Sequence, residues 1–398
     1  MSSPLPLVRL KPKTDPRRLR RGFPWVYANE VVTDRRTRAL TPGALARLED
    51  GEGRALGLVA VNPVSKIFCR MLGPDPKVAI DENWFAARLD RALKLREQLY
   101  DAPFYRLVHA EADGLPGVII DRFGDTVVIQ PNAAWAETRF EELSRAVLRV
   151  TGVTSIVKSA SGRARALEGL DEESGVTQGA VSGPIAVPMN GATYMADLLG
   201  GQKTGIFFDQ RPNHAMFQRL ARGGSVLDVF SHVGGFGLAA LAGRATQALA
   251  VDGSAPALEL AQQGAAAMGA SQRFDIRRGD AFDVMKALGD EGQKFNAVVC
   301  DPPAFAPSKP TLEAGLRAYE KVAKMACPLV QDGGYLVLCS CSHAADLEKF
   351  RASCLRGIGR AGRRAQLLHT GFAGADHPQM PELVETGYLK ALFFRLVA

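Results

Sequence analysis

The chain has 398 residues, of which 46% are hydrophobic and 23% are charged, a composition typical of globular proteins. This length is too great for one simple core and predicts two or three domains. The sequence has no run of about 18 apolar residues and its first residues lack the apolar core of a signal peptide, so no membrane partner is expected. We therefore expect a cytoplasmic protein.

Positive charge is concentrated near the N-terminus. The net charge is +7, and residues 9–38 contain ten lysine and arginine side chains against three acidic ones. Such a segment favours a polyanionic partner, nucleic acid first, although a solvated surface would have the same composition. The six cysteines follow neither a disulfide framework nor the spacing of zinc ligands, so free thiols and no metal site are expected.

Residues 1–75 predict a small β-rich module. Short runs such as ALARLED, ALGLVAVN and KIFCRML are separated by TPG, GEG and GPDP, which are typical of turns. Residues 81–100 then predict an amphipathic helix, because apolar residues recur near helical spacing at Trp84, Phe85, Leu89, Ala92, Leu93, Leu95 and Leu99.

Residues 104–190 predict a separate α+β region. The stretch GVIIDRFGDTVVIQ has two apolar runs around the turn RFGD, which is typical of a β-hairpin. A helix is predicted over TRFEELSRAVLRV, and further strands over SIVKSA and GPIAVPMN.

From about residue 223, predicted strands alternate with helices. SVLDVF, QALAVD, FDIRRGD, FNAVVCD and GYLVLCS are short apolar runs that end in polar residues, with Ala- and Leu-rich segments between most of them. This alternation predicts βαβ units, which form a parallel sheet with helices on both faces. The last runs, AQLLHTGF and YLKALFFRLV, could add a hairpin to that sheet.

Four acidic residues end successive strands of this predicted sheet, at the edge where open α/β folds bind ligands: Asp228, Asp252, Asp280 and Asp301. The first opens DVFSHVGGFG, a strand that runs into a glycine-rich turn. This turn is neither GxGxxG nor a P-loop, which disfavours dinucleotide and P-loop nucleotide binding. Each acid alone could be an ordinary helix cap, but the set of four indicates a ligand site.

The order DVFSHVGGFG, VD, GDAF and DPPAF resembles the class I S-adenosylmethionine-dependent methyltransferases. With LLGGQKTGIFFDQRPNH, ADGLPGVIIDRFGD, FPWVYANEV and SCS added, nearly the whole chain is similar to the bacterial 23S rRNA cytosine-C5 methyltransferases that carry an N-terminal PUA domain. LLGGQKTGIFFDQR and DPPAFAPSK are specific signatures of that family, whereas the glycine turn by itself is not.

The resemblance implies an α/β fold in three parts. A PUA-like RNA-binding domain is expected at residues 1–77, and a linker helix with a small EEHEE-like α+β domain at residues 78–190. A Rossmann-like methyltransferase domain with a mostly parallel seven-stranded sheet is expected at residues 191–398.

The resemblance also implies S-adenosyl-L-methionine as the cofactor. The residues expected to bind it are Asp228, Phe230, Gly234, Gly235, Gly237, Asp252, Asp280, Phe282 and Arg211. Asp228 and the glycines would form the floor under the methionine part. Asp252 suits the ribose diol, Asp280 the adenine amino group and Phe282 the adenine ring. Arg211 would meet either the cofactor carboxylate or an RNA phosphate.

The same resemblance assigns Cys341, in SCS, as the catalytic nucleophile. Carbon 5 of cytosine is a poor nucleophile, but a thiolate that adds to carbon 6 pushes electron density onto carbon 5, which then accepts a methyl group. Cysteine suits this step because its thiolate is strongly nucleophilic. Asp301 would hydrogen-bond the base near N3 and its amino group. The alternative for Cys341 is a buried small apolar residue, which is our interpretation of Cys339 and Cys300.

Other candidates have weaker motifs. Ala304 in DPPAF stands where many RNA cytosine-C5 methyltransferases carry a second cysteine, so the base that removes the C5 proton stays unassigned. His343 is interpreted as a loop residue, His232 as lining the cofactor pocket, and His377 as a candidate for contact with the base. Trp25 and Tyr27 are expected in the core of the first domain, with an RNA-stacking surface as the alternative.

The expected partner is 23S rRNA, or a large-subunit assembly intermediate, and the resemblance makes a homodimer possible. Two other functions fit part of the pattern. RNA guanine-N2 methyltransferases share similar GGQKTG and DPP motifs but need no thiolate, so SCS argues against them. A non-catalytic RNA-binding or ribosome-assembly protein with a degenerate fold is disfavoured by the four intact acids.

Overall fold

The structure is a computed structural model that describes residues 5–200 and 205–397. Residues 201–204, which are the GQKT of the LLGGQKTGIFFDQR signature, lie outside the described residues. The chain divides into two compact units. The first runs to Ser182 and also contains Asp376–Thr386, and the second contains Gly183–Ala375 and the chain from Gly387. The boundaries of the three expected domains stay a prediction.

The first unit begins with a five-stranded sheet. Its elements are β1 (Leu7–Arg9), α1 (Arg17–Arg20), β2 (Trp25–Tyr27), α2 (Arg35–Arg38), β3 (Ala44–Glu49), β4 (Ala55–Val61) and β5 (Ile67–Gly73). The strand order is β1-β3-β4-β5-β2, and every pair is antiparallel except β1 with β3. The β-rich module predicted for residues 1–75 is confirmed.

The aromatic strand of this module differs from expectation. Val26 is buried, whereas Trp25 and Tyr27 are only half-buried, so placing these two in the core was wrong. Alternate residues of a strand point to opposite faces, and Val26 occupies the core face of β2. On the other face, Trp25 donates its indole N–H to the Glu111 carboxylate at 2.8 Å.

The predicted linker helix is α3 (Glu82–Leu99), and the Asp81 carboxylate caps its first turn by accepting from the Trp84 N–H. The buried stripe on this helix is Trp84, Phe85, Leu89, Ala92 and Leu93, as expected. Leu95 and Leu99 are 39% and 43% exposed, so their expected place on that stripe was wrong. Arg96 lies on the buried stripe instead, because its guanidinium is paired with Asp113.

A second five-stranded sheet follows in the same unit. Its elements are β6 (Phe104–His109), β7 (Val118–Phe123), β8 (Thr126–Pro131), α4 (Ala134–Glu137), α5 (Phe140–Thr151), β9 (Ser155–Lys158), α6 (Arg163–Glu168) and β10 (Gly175–Gln178). The strand order is β10-β9-β8-β7-β6. The antiparallel pairing of β7 with β8 confirms the predicted hairpin, and α5 confirms the predicted helix.

The second unit begins with a separate hairpin and continues into alternating strands and helices. Its elements are β11 (Ile185–Met189), β12 (Ala192–Ala196), α7 (Arg211–Leu220), β13 (Ser225–Val229), α8 (Gly235–Ala242), β14 (Gln247–Asp252), α9 (Ala255–Ala267), β15 (Phe274–Arg278), α10 (Ala281–Asp290), β16 (Phe295–Cys300), α11 (Leu312–Ala326), β17 (Val330–Ser340), α12 (Leu347–Arg360), β18 (Arg364–Gly371) and β19 (Lys390–Val397). The strand predicted over GPIAVPMN is β11, and it pairs with β12.

Seven of these strands form one sheet in the order β15-β14-β13-β16-β17-β19-β18. The first five are parallel, and the predicted hairpin of β18 and β19 adds two antiparallel strands. The Rossmann-like fold is thus confirmed. The chain moves outward from β13 to β15 and then reverses through β16, so the switch point lies between β13 and β16. Ligands of such sheets bind at the carboxyl ends of the strands beside that point.

The sheet is a well-packed platform for these strand ends. Leu227, Val298 and Leu336 are fully buried on three neighbouring strands, in one apolar cluster with Tyr319 and Phe350 from α11 and α12. Each buried side chain of this size contributes about 1.5–3 kcal/mol to stability, so the strand ends are held in place. Among the described residues, no helix combines the length and apolar character needed to cross a bilayer, and no group of three His, Cys, Asp or Glu side chains could hold a metal ion.

Candidate active site

Asp228 fastens the glycine-rich turn to the end of β13. Its side chain is fully buried, and Oδ2 accepts hydrogen bonds from the Phe236 N–H at 3.1 Å and the Gly237 N–H at 2.8 Å. Burial raises the pKa of this carboxyl to about 7, although the two N–H groups oppose the change. Asp228 Oδ1 is buried and has no hydrogen-bond partner among the described residues.

The turn between Asp228 and α8 has a strained backbone. Phe230 and His232 have φ of +62° and +49°, which side chains with a Cβ rarely adopt, and Gly234 has φ of +79°. Strain of this kind concentrates at functional sites, and here it coincides with the predicted cofactor turn.

Asp252 and Asp280 also bind backbone N–H groups near their own strand ends. Asp252 accepts from the His232 N–H at 2.9 Å and from the Ser254 N–H at 2.8 Å, so it connects β14 to the turn after β13. Asp280 is exposed, and its carboxylate accepts from the N–H groups of Phe282 and Asp283 in the first turn of α10. Asp280 is therefore a helix cap, which was the alternative considered for each acid. Each carboxylate retains further lone pairs that could accept from a ligand.

Three aromatic residues that follow β13, β15 and β16 in the chain form a cluster. The Phe230 ring centroid is 6.3 Å from that of Phe282 and 6.4 Å from that of Phe305, both edge to face. The Lys321 ammonium lies 4.4 Å from the Phe282 centroid. These half-buried rings could cover a flat heteroaromatic group such as adenine.

The residues at these strand ends fit S-adenosylmethionine. The cofactor has a ribose diol, an adenine and two cationic centres, and the ends of β13, β14 and β15 supply three carboxylates and an aromatic cluster. Two buried oxygens at the turn, Asp228 Oδ1 and Ser231 Oγ, lack hydrogen-bond partners within the described chain. Buried polar atoms without partners are costly and mark places where a bound group could satisfy them.

Asp301 follows β16 and is held by a side chain from the FFDQR segment. Gln210 donates from Nε2 to Asp301 Oδ2 at 2.9 Å, and its own Oε1 accepts from Asn213 at 2.7 Å. In the same segment, the Tyr388 hydroxyl donates to Asp209 Oδ2 at 2.6 Å. Asp209 and Gln210 belong to the LLGGQKTGIFFDQR signature, but no motif indicated which residues they bind.

Arg211 follows this segment and is half-buried at the start of α7. Its guanidinium carbon lies 5.6 Å from the Phe208 ring centroid, and its backbone carbonyl accepts from Asn190. Its expected role toward the cofactor carboxylate or an RNA phosphate stays a prediction.

Cys341 lies immediately beyond β17, and it is partly exposed, whereas the other five cysteines are buried. Cys300 is in register with Leu338, so the position opposite Asp301 is that of Cys339. Cys341 follows two residues later, farther toward the carboxyl end of the strands. Cys339 is 1% exposed, and burial raises the pKa of its thiol far above the usual range. The predictions that Cys339 and Cys300 are core residues are confirmed.

A hydroxyl network holds both neighbours of Cys341. The Ser340 hydroxyl donates to the Tyr319 hydroxyl at 2.9 Å, and Tyr319 shares a 2.7 Å hydrogen bond with the Ser342 hydroxyl. Ser342 also accepts from the Ala306 N–H at 2.9 Å, which ties SCS to the DPPAF loop. Sequence reasoning missed Tyr319, because a tyrosine inside an amphipathic helix has no local signal of this role.

The three candidate histidines lie in different surroundings. His343 is exposed, as expected of a loop residue, with its ring 5.5 Å from that of Tyr388. His232 lies in the strained turn, with its ring 5.2 Å from that of Phe207. His377 belongs to the first unit, where it is buried with Nδ1 2.9 Å from the Asp376 carboxylate. Its expected contact with the base stays a prediction.

Two family models match the chain. A PUA-like domain matches residues 8–74, and an S-adenosylmethionine-dependent methyltransferase matches residues 162–395, more than half of the chain. The structure also superposes on a SAM-dependent methyltransferase from Streptococcus mutans with a TM-score of 0.82 at 19% identity, covering 98% of this chain and 100% of the other. A methyltransferase structure complexed with SAH covers 99% and 100%, with a TM-score of 0.82 at 20% identity. At these identities the likeness concerns the fold.

Curated relatives match over nearly their whole length. Ribosomal RNA large subunit methyltransferase I of Erwinia tasmaniensis is 32% identical over 384 residues, which are 95% of this chain and 96% of the relative. The protein of the same name from Shewanella denitrificans is 34% identical over 400 residues, covering 98% and 99%. The chain therefore belongs to the S-adenosylmethionine-dependent methyltransferase family that includes ribosomal RNA large subunit methyltransferase I, with a PUA-like domain at its N-terminus and S-adenosyl-L-methionine as its cofactor.

Proposed function

We propose that this protein methylates carbon 5 of a cytosine in 23S rRNA, with Cys341 as a covalent nucleophile. The observation that carries the proposal is the position of Cys341, which is partly exposed beyond β17 while Asp301 follows the neighbouring strand β16. The names of the relatives support large-subunit rRNA as the substrate.

The chemistry follows from the needs of the base. The Cys341 thiolate forms a bond to carbon 6, and the electron pair of the C5–C6 double bond moves toward carbon 5. The cofactor would supply an electrophilic methyl group: the bond between its sulfonium sulfur and the methyl carbon would break as a carbon–carbon bond forms at carbon 5, and S-adenosylhomocysteine would be left. A base at the site takes the C5 proton, the C5–C6 double bond re-forms, and the thiolate leaves with the electron pair of the sulfur–carbon bond.

Asp301 would orient the cytosine for this addition. Gln210 donates to Oδ2 and thereby restrains the carboxylate, which as an acceptor suits the exocyclic amino group next to N3. The rotamer of Gln210 is fixed in turn by Asn213. Side chains held in this way lose little entropy when the base binds.

The first unit supports an RNA partner. Its basic segment leaves these side chains exposed: Lys11, Lys13, Arg21, Arg35 and Arg36. They belong to the PUA-like domain, and cations on one module attract a phosphate backbone in a salt-dependent way. A homodimer finds no support in the comparisons, and we do not propose one.

The test is to incubate the protein with S-adenosylmethionine and unmodified 23S rRNA and to identify the nucleosides by mass spectrometry. A partly assembled large subunit serves as a second substrate. Cys341→Ala is the test variant. Cys339→Ala is the matched control, because each variant removes one thiol and the two positions are only two residues apart. We expect 5-methylcytidine from the intact protein and from Cys339→Ala, and none from Cys341→Ala.

Two outcomes would contradict this proposal. N2-methylguanosine would identify the alternative chemistry, which attacks through an exocyclic amine and needs no thiolate. Undiminished 5-methylcytidine from Cys341→Ala would exclude this cysteine as the nucleophile.

A further inference from the structure

A tyrosine and a buried carboxylate form a pair beside the turn that carries Cys341. Tyr388 shortly precedes Lys390, which begins β19 and is in register with Ser340, the last residue of β17. Because these two strands are antiparallel, the chain before Lys390 runs alongside the chain that follows Ser340, which is where Cys341 lies. The ring centroid of Tyr388 is accordingly 5.5 Å from that of His343.

The hydroxyl of Tyr388 donates to a carboxylate of the FFDQR segment. The acceptor is Asp209 Oδ2 at 2.6 Å, and Asp209 is only 8% exposed. A bond this short is typical of a hydroxyl that donates to an ionised carboxylate. The other oxygen, Asp209 Oδ1, is buried and has no hydrogen-bond partner among the described residues. In that part of the chain, Tyr388 is thus the hydrogen-bond partner of this carboxylate.

The pair is connected to both residues that the proposed chemistry assigns to the cytosine. Gln210 follows Asp209 in the chain and donates to Asp301 Oδ2 at 2.9 Å. On the other side, Tyr388 contacts the turn that follows Cys341. The proposed chemistry still lacks a group that takes the C5 proton, and this pair lies next to the residues that would hold the base.

We propose that Tyr388 is the catalytic base of this reaction, which takes the C5 proton while it passes its own hydroxyl proton to Asp209. The proposal rests on the proposed function, because this proton has to leave only if carbon 5 is methylated. At neutral pH a phenol carries its proton, so it can accept another only if a neighbour takes the first. The Asp209 carboxylate is placed to be that neighbour.

The step keeps atoms and charge in balance. The C5–H bond of the methylated adduct breaks, and its electron pair re-forms the C5–C6 double bond while the bond between carbon 6 and the Cys341 sulfur breaks. The C5 proton forms a bond to the Tyr388 oxygen, and the hydroxyl proton moves to Asp209 Oδ2. Asp209 becomes neutral as Cys341 becomes a thiolate, so the net charge of the site does not change.

Loss of this base has a consequence that a purely structural role would not have. Methyl transfer precedes removal of the proton, so a protein without the base should methylate carbon 5 and then remain bonded to carbon 6. The result is a protein–RNA adduct that contains the new methyl group and survives denaturation. A positioned general base accelerates its step by about 100–10,000-fold, so the adduct should accumulate in place of released 5-methylcytidine.

The experiment uses the whole chain, S-adenosylmethionine with a tritiated methyl group, and unmodified 23S rRNA or a partly assembled large subunit. After denaturation, tritium is counted in released 5-methylcytidine and in the protein–RNA adduct on a denaturing gel. Tyr388→Phe removes the hydroxyl and keeps the ring, and Asp209→Asn keeps the side-chain shape but cannot take the proton. Tyr335→Phe is the matched control, because it removes a hydroxyl from β17 well before Ser340. Near-wild-type affinity for S-adenosylmethionine shows that each variant is folded.

We expect Tyr388→Phe and Asp209→Asn to release at least about a hundredfold less 5-methylcytidine than the wild type and to accumulate the tritiated adduct. The adduct should disappear when Cys341→Ala is added, and Tyr335→Phe should behave like the wild type. If Tyr388→Phe does not fold, Asp209→Asn decides by the same measurement.

Three outcomes would overturn the proposal. The first is undiminished release of 5-methylcytidine from folded Tyr388→Phe. The second is reduced release without an adduct, which would indicate a structural role for the pair. The third is an adduct that accumulates with His343→Gln but not with Tyr388→Phe, which would identify His343 as the base.

The wild type and Cys341→Ala separate this proposal from the proposed function. If the wild type forms no 5-methylcytidine, the proposed function fails and the role of Tyr388 fails with it. If the wild type forms it and Cys341→Ala does not, a negative result with the Tyr388 and Asp209 variants concerns the base alone.

Discussion

The two halves of the candidate site are built from different kinds of hydrogen bond. In what we call the cofactor half, Asp228, Asp252 and Asp280 all accept from backbone N–H groups. In the base half, which contains Asp301, Cys341 and their neighbours, several of the described contacts join one side chain to another, as between Gln210 and Asp301. A backbone N–H is present whatever the residue, whereas a side-chain bond requires particular residues at both ends.

This difference predicts that the two halves can be damaged separately. Substitutions in the cofactor half should weaken S-adenosylmethionine binding, because the carboxylates organise the backbone that surrounds it. Substitutions in the base half should reduce turnover while the affinity for the cofactor stays nearly constant.

The largest expected effect is that of Cys341→Ala. Removing a covalent nucleophile should reduce methylation by at least about a thousandfold, because the uncatalysed addition has no substitute in the site. The dissociation constant for S-adenosylmethionine, measured by calorimetry, should stay within about twofold. A parallel loss of cofactor affinity would show that the two halves are coupled and would break the comparison.

Asp252→Ala should have the next largest effect, on the other half. Hydrogen bonds to a charged group are worth about 1.5–3 kcal/mol, so the affinity for S-adenosylmethionine should fall by roughly 10–100-fold. Asp275→Ala is the matched control, since this exposed acid on β15 binds only Gln247 among the described contacts. Equal effects of the two variants on cofactor affinity would contradict the assignment of Asp252.

Gln210→Met should lower turnover by about tenfold while the affinity for S-adenosylmethionine is retained. Methionine has a similar size but removes the hydrogen bonds to Asp301 and Asn213, so the carboxylate would no longer be held in one orientation. Gln218→Met is the control, because Gln218 lies on α7, the helix that follows Gln210, and bonds only the Asn190 carbonyl among the described contacts. Turnover is measured by steady-state kinetics at a saturating concentration of the cofactor. An unchanged turnover of Gln210→Met would exclude this role.

The last expected effect concerns stability rather than binding or turnover, and it separates the buried Asp228 from the more exposed acids at the neighbouring strand ends. Burial raises the pKa of Asp228 to about 7, so this group contributes stability below its unfolded pKa, near pH 4, and loses that contribution as the pH rises to about 7. The full change is on the order of 4 kcal/mol for this shift. Asp228→Asn cannot titrate, so its thermal midpoint should gain relative to the wild type from pH 4 to 7 and then stay level. Parallel pH profiles of the two proteins would contradict the raised pKa.

Much of the cofactor half could be predicted from short stretches of sequence. DVFSHVGGFG contains both Asp228 and the N–H groups that it binds, and GDAF contains Asp280 together with its capped turn. The order of strands and helices was equally visible, since the hydrophobic pattern of each element is local. Helix α3 shows the limit of prediction from a local pattern. The pattern placed Leu95 and Leu99 in the core, but both are exposed and Arg96 is buried instead.

The base half could be predicted only at its two motif residues. Asp301 and Cys341 stood out through DPPAF and SCS, but two residues that hold Ser342 have no motif of their own: Tyr319, which bonds its hydroxyl, and Lys390, whose ammonium donates to its carbonyl oxygen. Tyr319 lies 23 residues before Ser342, and Lys390 lies 48 residues after it. No periodicity or spacing connects residues so far apart in the chain.

The sequence by itself thus determined the class of fold, the cofactor family and the strand ends at which acidic residues collect, because these depend on local patterns repeated along the chain. Only the tertiary structure decided which side chains surround the partly exposed Cys341 and hold its neighbours in place. The physical reason is that the order β13-β16-β17-β19 pairs strands that are distant in sequence, so β19 carries Lys390 to the end of β17. Burial of a charge and hydrogen bonds between distant side chains arise only after that pairing has formed.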